Sequence, residues 1–211
     1  MKINRPMISL HVFFERVMRM AYLNVLWITF TMVGFLVLGI FPATTALCAV
    51  IRKWFKDGEE IPIFKVFWET YRRQFWVSNV LGLILFSSGY VLYFYLMVFS
   101  TMENLIGIFL NGLLISVGAM YVIILTNIFP VLVNYDLKGK QYLKYAFVIG
   151  ITNMHLTLLT FGSVFSVAYI VFSFPFLIPF FSVNLLGFVV MWIAEYVFKK
   201  LENRRDKIGN K

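Results

Sequence analysis

The sequence predicts an all-α fold: a polytopic helical membrane bundle of about six membrane segments with amphipathic interfacial helices. Three observations carry the prediction. Of 211 residues, 61% are hydrophobic and 19% aromatic, against roughly 45–50% apolar content in soluble domains. Four stretches, 20–51, 74–102, 104–135 and 145–194, contain no Asp, Glu, Lys or Arg, and each exceeds the ~20 residues that span a bilayer. All 19 Lys and Arg fall between or outside these stretches. The net charge of +9 therefore reads as a topology signal and as contact with the anionic headgroups of a lipid bilayer, not as a nucleic-acid surface.

The chain is read as one membrane-embedded domain, 1–211. Its first apolar run is too long for a cleaved signal peptide and lacks a small-residue cleavage site, so the mature protein is expected to begin at Met1. Leu47 is too large for a lipoprotein box ahead of Cys48. As the single cysteine, Cys48 allows no intramolecular disulfide and reads as a small packing residue.

Residues 6–20 place Leu10, Phe13, Phe14, Val17 and Met18 at helical spacing, with Glu15, Arg16 and Arg19 elsewhere on the wheel. This predicts an interfacial helix. A crossing at 20–39 follows, broken at Gly39-Ile40-Phe41-Pro42 because proline cannot donate to the preceding turn. A second run, 43–55, ends at Asp57-Gly58. If 20–51 crossed once, the bundle would have five segments and the Lys/Arg count would divide 15 to 4 between the two sides; a hairpin turning at Phe41-Pro42 gives six segments and 19 to 0. The hairpin is preferred, although 42–56 would rise only about 22 Å against a hydrocarbon core of about 30 Å. Snorkelling by Arg52, Lys53 and Lys56 would cover the shortfall.

Residues 62–75 carry an aromatic stripe, Phe64, Phe67, Trp68, Tyr71 and Phe75, opposed by Lys65, Glu69, Arg72 and Arg73. The pattern predicts an interfacial helix with Phe64, Phe67, Trp68, Tyr71, Arg72 and Arg73 at the membrane surface. A third segment is expected at 77–99 and a fourth at 105–133, joined by a short turn whose one charge is Glu103. The fourth carries Gly107, Asn111, Gly112, Ser116, Gly118 and Ala119, small residues that favour close packing and predict a central place in the bundle. An interfacial stretch after Asp136 leads to a fifth segment from His155 to Phe174-Pro175. A sixth covers 176–198 and ends in a basic cytoplasmic tail, 199–211. Both termini are expected on the cytoplasmic side of a bacterial cytoplasmic membrane.

Reactive chemistry is hard to assemble from these residues. Gly139-Lys140 has Asn134 where a phosphate-binding loop needs its first glycine and Gln141 where it needs Ser or Thr. No HExxH occurs, the two histidines His11 and His155 stand 144 positions apart, and no carboxylate cluster suggests a metal. No catalytic residue, cofactor or metal is expected. Glu195 comes closest to an intramembrane charge and is expected to pair with Lys199 at the interface. The polar residues left within the membrane are Asn79, Asn111, Thr126, Asn127, Asn153, Thr157, Thr160, Ser163 and Asn184. They read as helix–helix contacts or as the lining of a polar path.

Three stretches carry a family likeness: Phe41-Pro42-Ala43-Thr44-Thr45-Ala46-Leu47, then Val50-Ile51-Arg52-Lys53-Trp54, then IPIFKVFW. With Asn79, Gly82 and the later FPVLVNYDL and AFVIGITNMHLTLL, the chain resembles the YesL-like family of small bacterial membrane proteins of unknown function. That resemblance implies a membrane-embedded protein often encoded beside carbohydrate uptake or polysaccharide-degradation genes, with no established ligand residues. The resulting expectation is a non-enzymatic accessory or interaction protein, with a carbohydrate ABC transporter as a candidate partner. The alternative is a small transporter or channel for a neutral polar solute such as a sugar.

Overall fold

The computed structural model describes residues 5–58, 60–102, 104–137, 139–174 and 178–209. Seven helices and no strands occur among them: α1 (Arg5–Val33), α2 (Val37–Asp57), α3 (Ile63–Ser100), α4 (Leu105–Asn134), α5 (Gln141–Thr152), α6 (Met154–Ser173) and α7 (Ile178–Gly209). Helices α2, α3, α4 and α6 are each long and apolar enough to cross a membrane. The architecture is a helical membrane bundle. Glu103, Pro175 and the last two residues of the tail lie outside the described residues, as do the tail side chains beyond Glu202.

The chain doubles back between α1 and α2, but not at Phe41-Pro42. It turns at Gly34-Phe35-Leu36, and Pro42 sits inside α2. The Trp27 indole N–H donates to Thr44 Oγ1 across the hairpin at 3.1 Å. Gly39 packs so closely on α1 that a Cβ there would lie 2.3 Å from the Thr31 carbonyl oxygen. Gly39 is thus a contact residue and not a breaker. Pro42 offers no N–H to the Leu38 carbonyl four positions back, and just beyond that gap the hydroxyls of Thr44 and Thr45 bond the carbonyls of Ile40 and Phe41. Moving the turn seven residues earlier lengthens α2 to 21 residues, about 31 Å, which removes the shortfall a turn at Pro42 would create.

The turn itself is tight. Val37 N–H bonds the Phe35 carbonyl at 2.7 Å, and Leu36 at its centre has φ 62° and ψ −70°, the strained form of a three-residue turn. Leu36→Gly is expected to raise stability by about 1 kcal/mol through relief of that strain. A thermal melt in detergent would show it, and a lowered midpoint would refute the account.

Two expected breaks are absent. Residues 6–20 continue without interruption into the rest of α1, and 62–75 continue into a single 38-residue α3, about 57 Å long. Neither junction contains a glycine or proline to end a helix.

Helix α2 packs against α1, α3, α4 and α7. Its buried residues Ala43, Ala46, Leu47, Val50 and Ile51 join Leu23, Phe67, Tyr71 and Met191 in one core. A second core gathers Leu81, Leu85, Ile128, Val131, Leu132, Tyr142, Ala146, Ile149 and Val197 from α3, α4, α5 and α7. Only the C-terminal part of α4 enters it. The small residues expected to make α4 central lie on its outer half, where a Cβ on Gly112 would meet nothing within 4 Å. Small residues permit close packing without compelling it: on this half Gly118 faces Leu92 of α3, while the space beside Gly112 stays open.

Cys48 is 2% exposed within α2. A membrane-permeant maleimide is expected to leave the folded protein unlabelled and to label it after denaturation, as read by mass shift.

Candidate polar sites between the helices

Two of the five asparagines singled out from sequence, Asn127 and Asn153, line one small cavity. Asn127 on α4 donates to the Ile123 carbonyl at 2.8 Å and to Thr126 Oγ1 at 3.2 Å. Asn153 forms the elbow between α5 and α6. Its amide donates to the Ile149 carbonyl at 3.2 Å, while its own carbonyl accepts from the N–H groups of Leu156 and Thr157. Thr157 Oγ1 reaches across to the Gly150 carbonyl at 3.0 Å, and Gly150 lies where a Cβ would strike Ile123 and Asn127. Together with Thr126 and Thr160 they line a cavity of about 10 Å³, roughly the space of one water.

The other three lie elsewhere. Asn79 is half-buried and bonds its own helix at the Phe75 carbonyl, 2.9 Å away. Asn111 is half-buried on the outer half of α4. Asn184, 1% exposed, donates from α7 to the Met20 carbonyl of α1, a direct tie between two helices distant in sequence.

The aromatic stripe of α3 divides. Phe67 and Tyr71 are buried at 0% and 5% exposure. They cluster with Phe30 of α1 at centroid distances of 5.2 and 5.1 Å, and the Tyr71 hydroxyl donates to the Phe30 carbonyl. Phe64, Trp68, Arg72 and Arg73 are exposed, and the Arg72 guanidinium lies 5.6 Å over the Trp68 ring. The stripe's 3–4 spacing continues past the aromatics as Gln74, Ser78, Leu81 and Leu85, all buried. Ser78 meets Thr45 of α2 at 3.0 Å between hydroxyls. Gln74, Ser78, Thr45, Thr31 and Asn24 are buried polar residues that the sequence reading passed over. For Gln74 and Ser78 that continued spacing was the available signal.

The charged groups near the ends of α2 and α7 are structural in part. The Arg52 guanidinium donates to the Val133 carbonyl at 2.9 Å, covering an otherwise open acceptor in the last turn of α4. Nearby, burial raises the Tyr135 phenol above its ordinary value, with Tyr145 and the Glu202 carboxylate acting in the same direction. Glu195 does not form the expected pair with Lys199. It is 6% exposed with Oε2 buried and unpartnered, whereas Lys199 is exposed. Lys199 shares the outer face of α7 with Trp192 and Tyr196, while Glu195 turns inward with Met191 and Ala194. Among the described residues no group of three or more His, Cys, Asp or Glu is placed to hold a metal.

A family model described as "Protein of unknown function, DUF624" matches residues 20–96. Three proteins of Bacillus subtilis (strain 168) are similar over nearly the whole chain. YteU is 35% identical over 190 residues, 90% of this chain and 85% of YteU. YesV is 34% identical over 196 residues, 92% and 94% of the two chains, and YesL 32% over 192 residues, 90% of each. All three are described as uncharacterized proteins. No solved structure matches the chain. With relatives above 30% identity along almost their full length, the chain belongs to the YesL-like family.

Proposed function

We propose that this chain is a non-enzymatic accessory protein of the bacterial cytoplasmic membrane that binds a membrane partner along the outer α3–α4 hairpin. Six helices, α1 to α4, α6 and α7, form its membrane segments, with both termini and all 19 basic residues on the cytoplasmic side. The observation that carries the reading is the bareness of that hairpin. Phe86, Tyr90, Phe94, Ile108, Phe109 and Leu113 are each more than half exposed, and the space beside Gly112 is open. A helix from another protein could approach there closely, which lipid tails do not require. The partner class, a carbohydrate ABC transporter, rests on what the family resemblance implies and not on the fold.

Purification in mild detergent from native membranes is expected to recover a partner with the wild-type chain. Gly112→Leu should lose it without lowering the melting temperature. Recovery of the chain alone, together with uptake unaffected by its deletion, would overturn the reading. Sidedness can be checked with cysteines placed at Glu60 and Gln141, both of which should be labelled from the cytoplasmic side.

A transporter or channel for a neutral polar solute has less support. Asn127 and Asn153 enclose a volume of only about 10 Å³, far below the roughly 300 Å³ at which ligand pockets begin.

A further inference from the structure

Glu195 lines a cleft of about 540 Å³ between the end of α2, the start of α6 and α7. Its Oε2 is buried without a hydrogen-bond partner. A carboxylate withdrawn from water is costly unless a donor or cation meets it, and among the described residues no donor meets Oε2. Three rings, Phe55, Trp192 and Tyr196, share the cleft; their faces favour a cation and disfavour an anion. Lys199 stands at the same cleft, exposed to the surroundings. Leu156, Leu159 and Ile193 supply an apolar wall.

We propose that this cleft binds a phospholipid whose headgroup carries a primary ammonium. The ammonium would meet Glu195 among the rings, the phosphodiester would meet Lys199, and an acyl chain would lie along Leu156 and Leu159. An acid within and a base at the rim match the order of charges in a phosphoethanolamine headgroup. The volume suits a headgroup with the upper part of its chains. Trp192 and Tyr196 are 61% and 62% exposed, so the cleft opens on the bilayer side of α7. The assignment needs only that α7 lies in a membrane, and it is independent of which side the termini face and of any partner at α3–α4.

The test uses the full chain, purified in lipid-depleted detergent and titrated with phosphatidylethanolamine, phosphatidylglycerol and phosphatidylcholine of identical acyl chains, with bound lipid counted by native mass spectrometry. Phosphatidylethanolamine is expected to bind at least about tenfold more tightly than the other two, since the choline headgroup has no N–H to donate and the glycerol headgroup no positive charge. Glu195→Gln should abolish that preference, and Lys199→Gln should weaken binding of all three lipids alike. Equal affinity for the three lipids, or an unchanged preference in Glu195→Gln, would overturn the proposal. If Glu195→Gln is not recovered folded, Leu159→Trp, which fills the cleft, must remove the preference; retention there would overturn it equally. Competition by soluble glycerophosphoethanolamine at the same concentration as the lipid would reject the lipid as occupant.

Discussion

Gly39→Ala is expected to destabilise the protein by about 3 kcal/mol, among the largest effects of any single-methyl change in the chain. The added Cβ would fall 2.3 Å from the Thr31 carbonyl oxygen and 2.7 Å from the Thr31 Cα. Both obstacles are backbone atoms, so no rotamer change relieves the clash and α1 must separate from α2. Overpacking of this kind costs about 1–3 kcal/mol even where side chains can yield. The separation would also stretch the Trp27–Thr44 hydrogen bond, which spans the same hairpin. Gly112→Ala is the matching control, because its Cβ would meet nothing within 4 Å. It should be neutral or gain up to about 1 kcal/mol from helix propensity. Thermal melts of the two variants in one detergent would separate a packing effect from the loss of a glycine as such. Equal midpoints would rule out the close α1–α2 contact.

The second large effect is expected at Phe67, where truncation to alanine should cost about 3–5 kcal/mol. Phe67 is 0% exposed and lies within stacking distance of Phe30 and Tyr71. Its removal would leave a cavity bordered by residues of α1, α2 and α3. Phe64, one turn earlier on the same stripe, is 51% exposed. Its truncation should cost well under 1 kcal/mol, in keeping with surface substitutions generally. A purely interfacial stripe would give the two variants similar behaviour. A difference of less than 1 kcal/mol between them would restore that reading.

The Phe64–Phe67 contrast shows where sequence was informative and where it was not. Long charge-free runs located the helices well: α4 was expected at 105–133 and spans Leu105–Asn134, and α6 was expected from His155 and begins at Met154. Charge and apolarity record which stretches meet lipid. They record poorly which face of a helix meets another helix, because in a membrane both faces are apolar. The stripe of α3 was therefore ambiguous as far as Tyr71 and resolved only by its continuation into Gln74, Ser78, Leu81 and Leu85. Glycine carried a similar ambiguity. Gly39 beside Pro42 looked like a breaker, yet it serves as the flat spot on which Thr31 rests, and the turn falls instead at two positive-φ residues, Phe35 and Leu36, that no composition rule marks. Glu195 was read through its neighbour four positions on; the two line the same cleft but do not pair, since the Glu195 carboxylate is withdrawn from the surface and Lys199 stays exposed at the rim.

The α1–α2 turn has one more consequence. The N–H groups of Gly34, Phe35, Leu36, Val37, Gly39 and Ile40 all bond to carbonyls between Phe30 and Leu36, and Phe35 to Leu38 are exposed apolar side chains. Such a tip makes little demand on water. Its exposed apolar side chains suit contact with lipid, and the hairpin returns the chain towards the side it entered from.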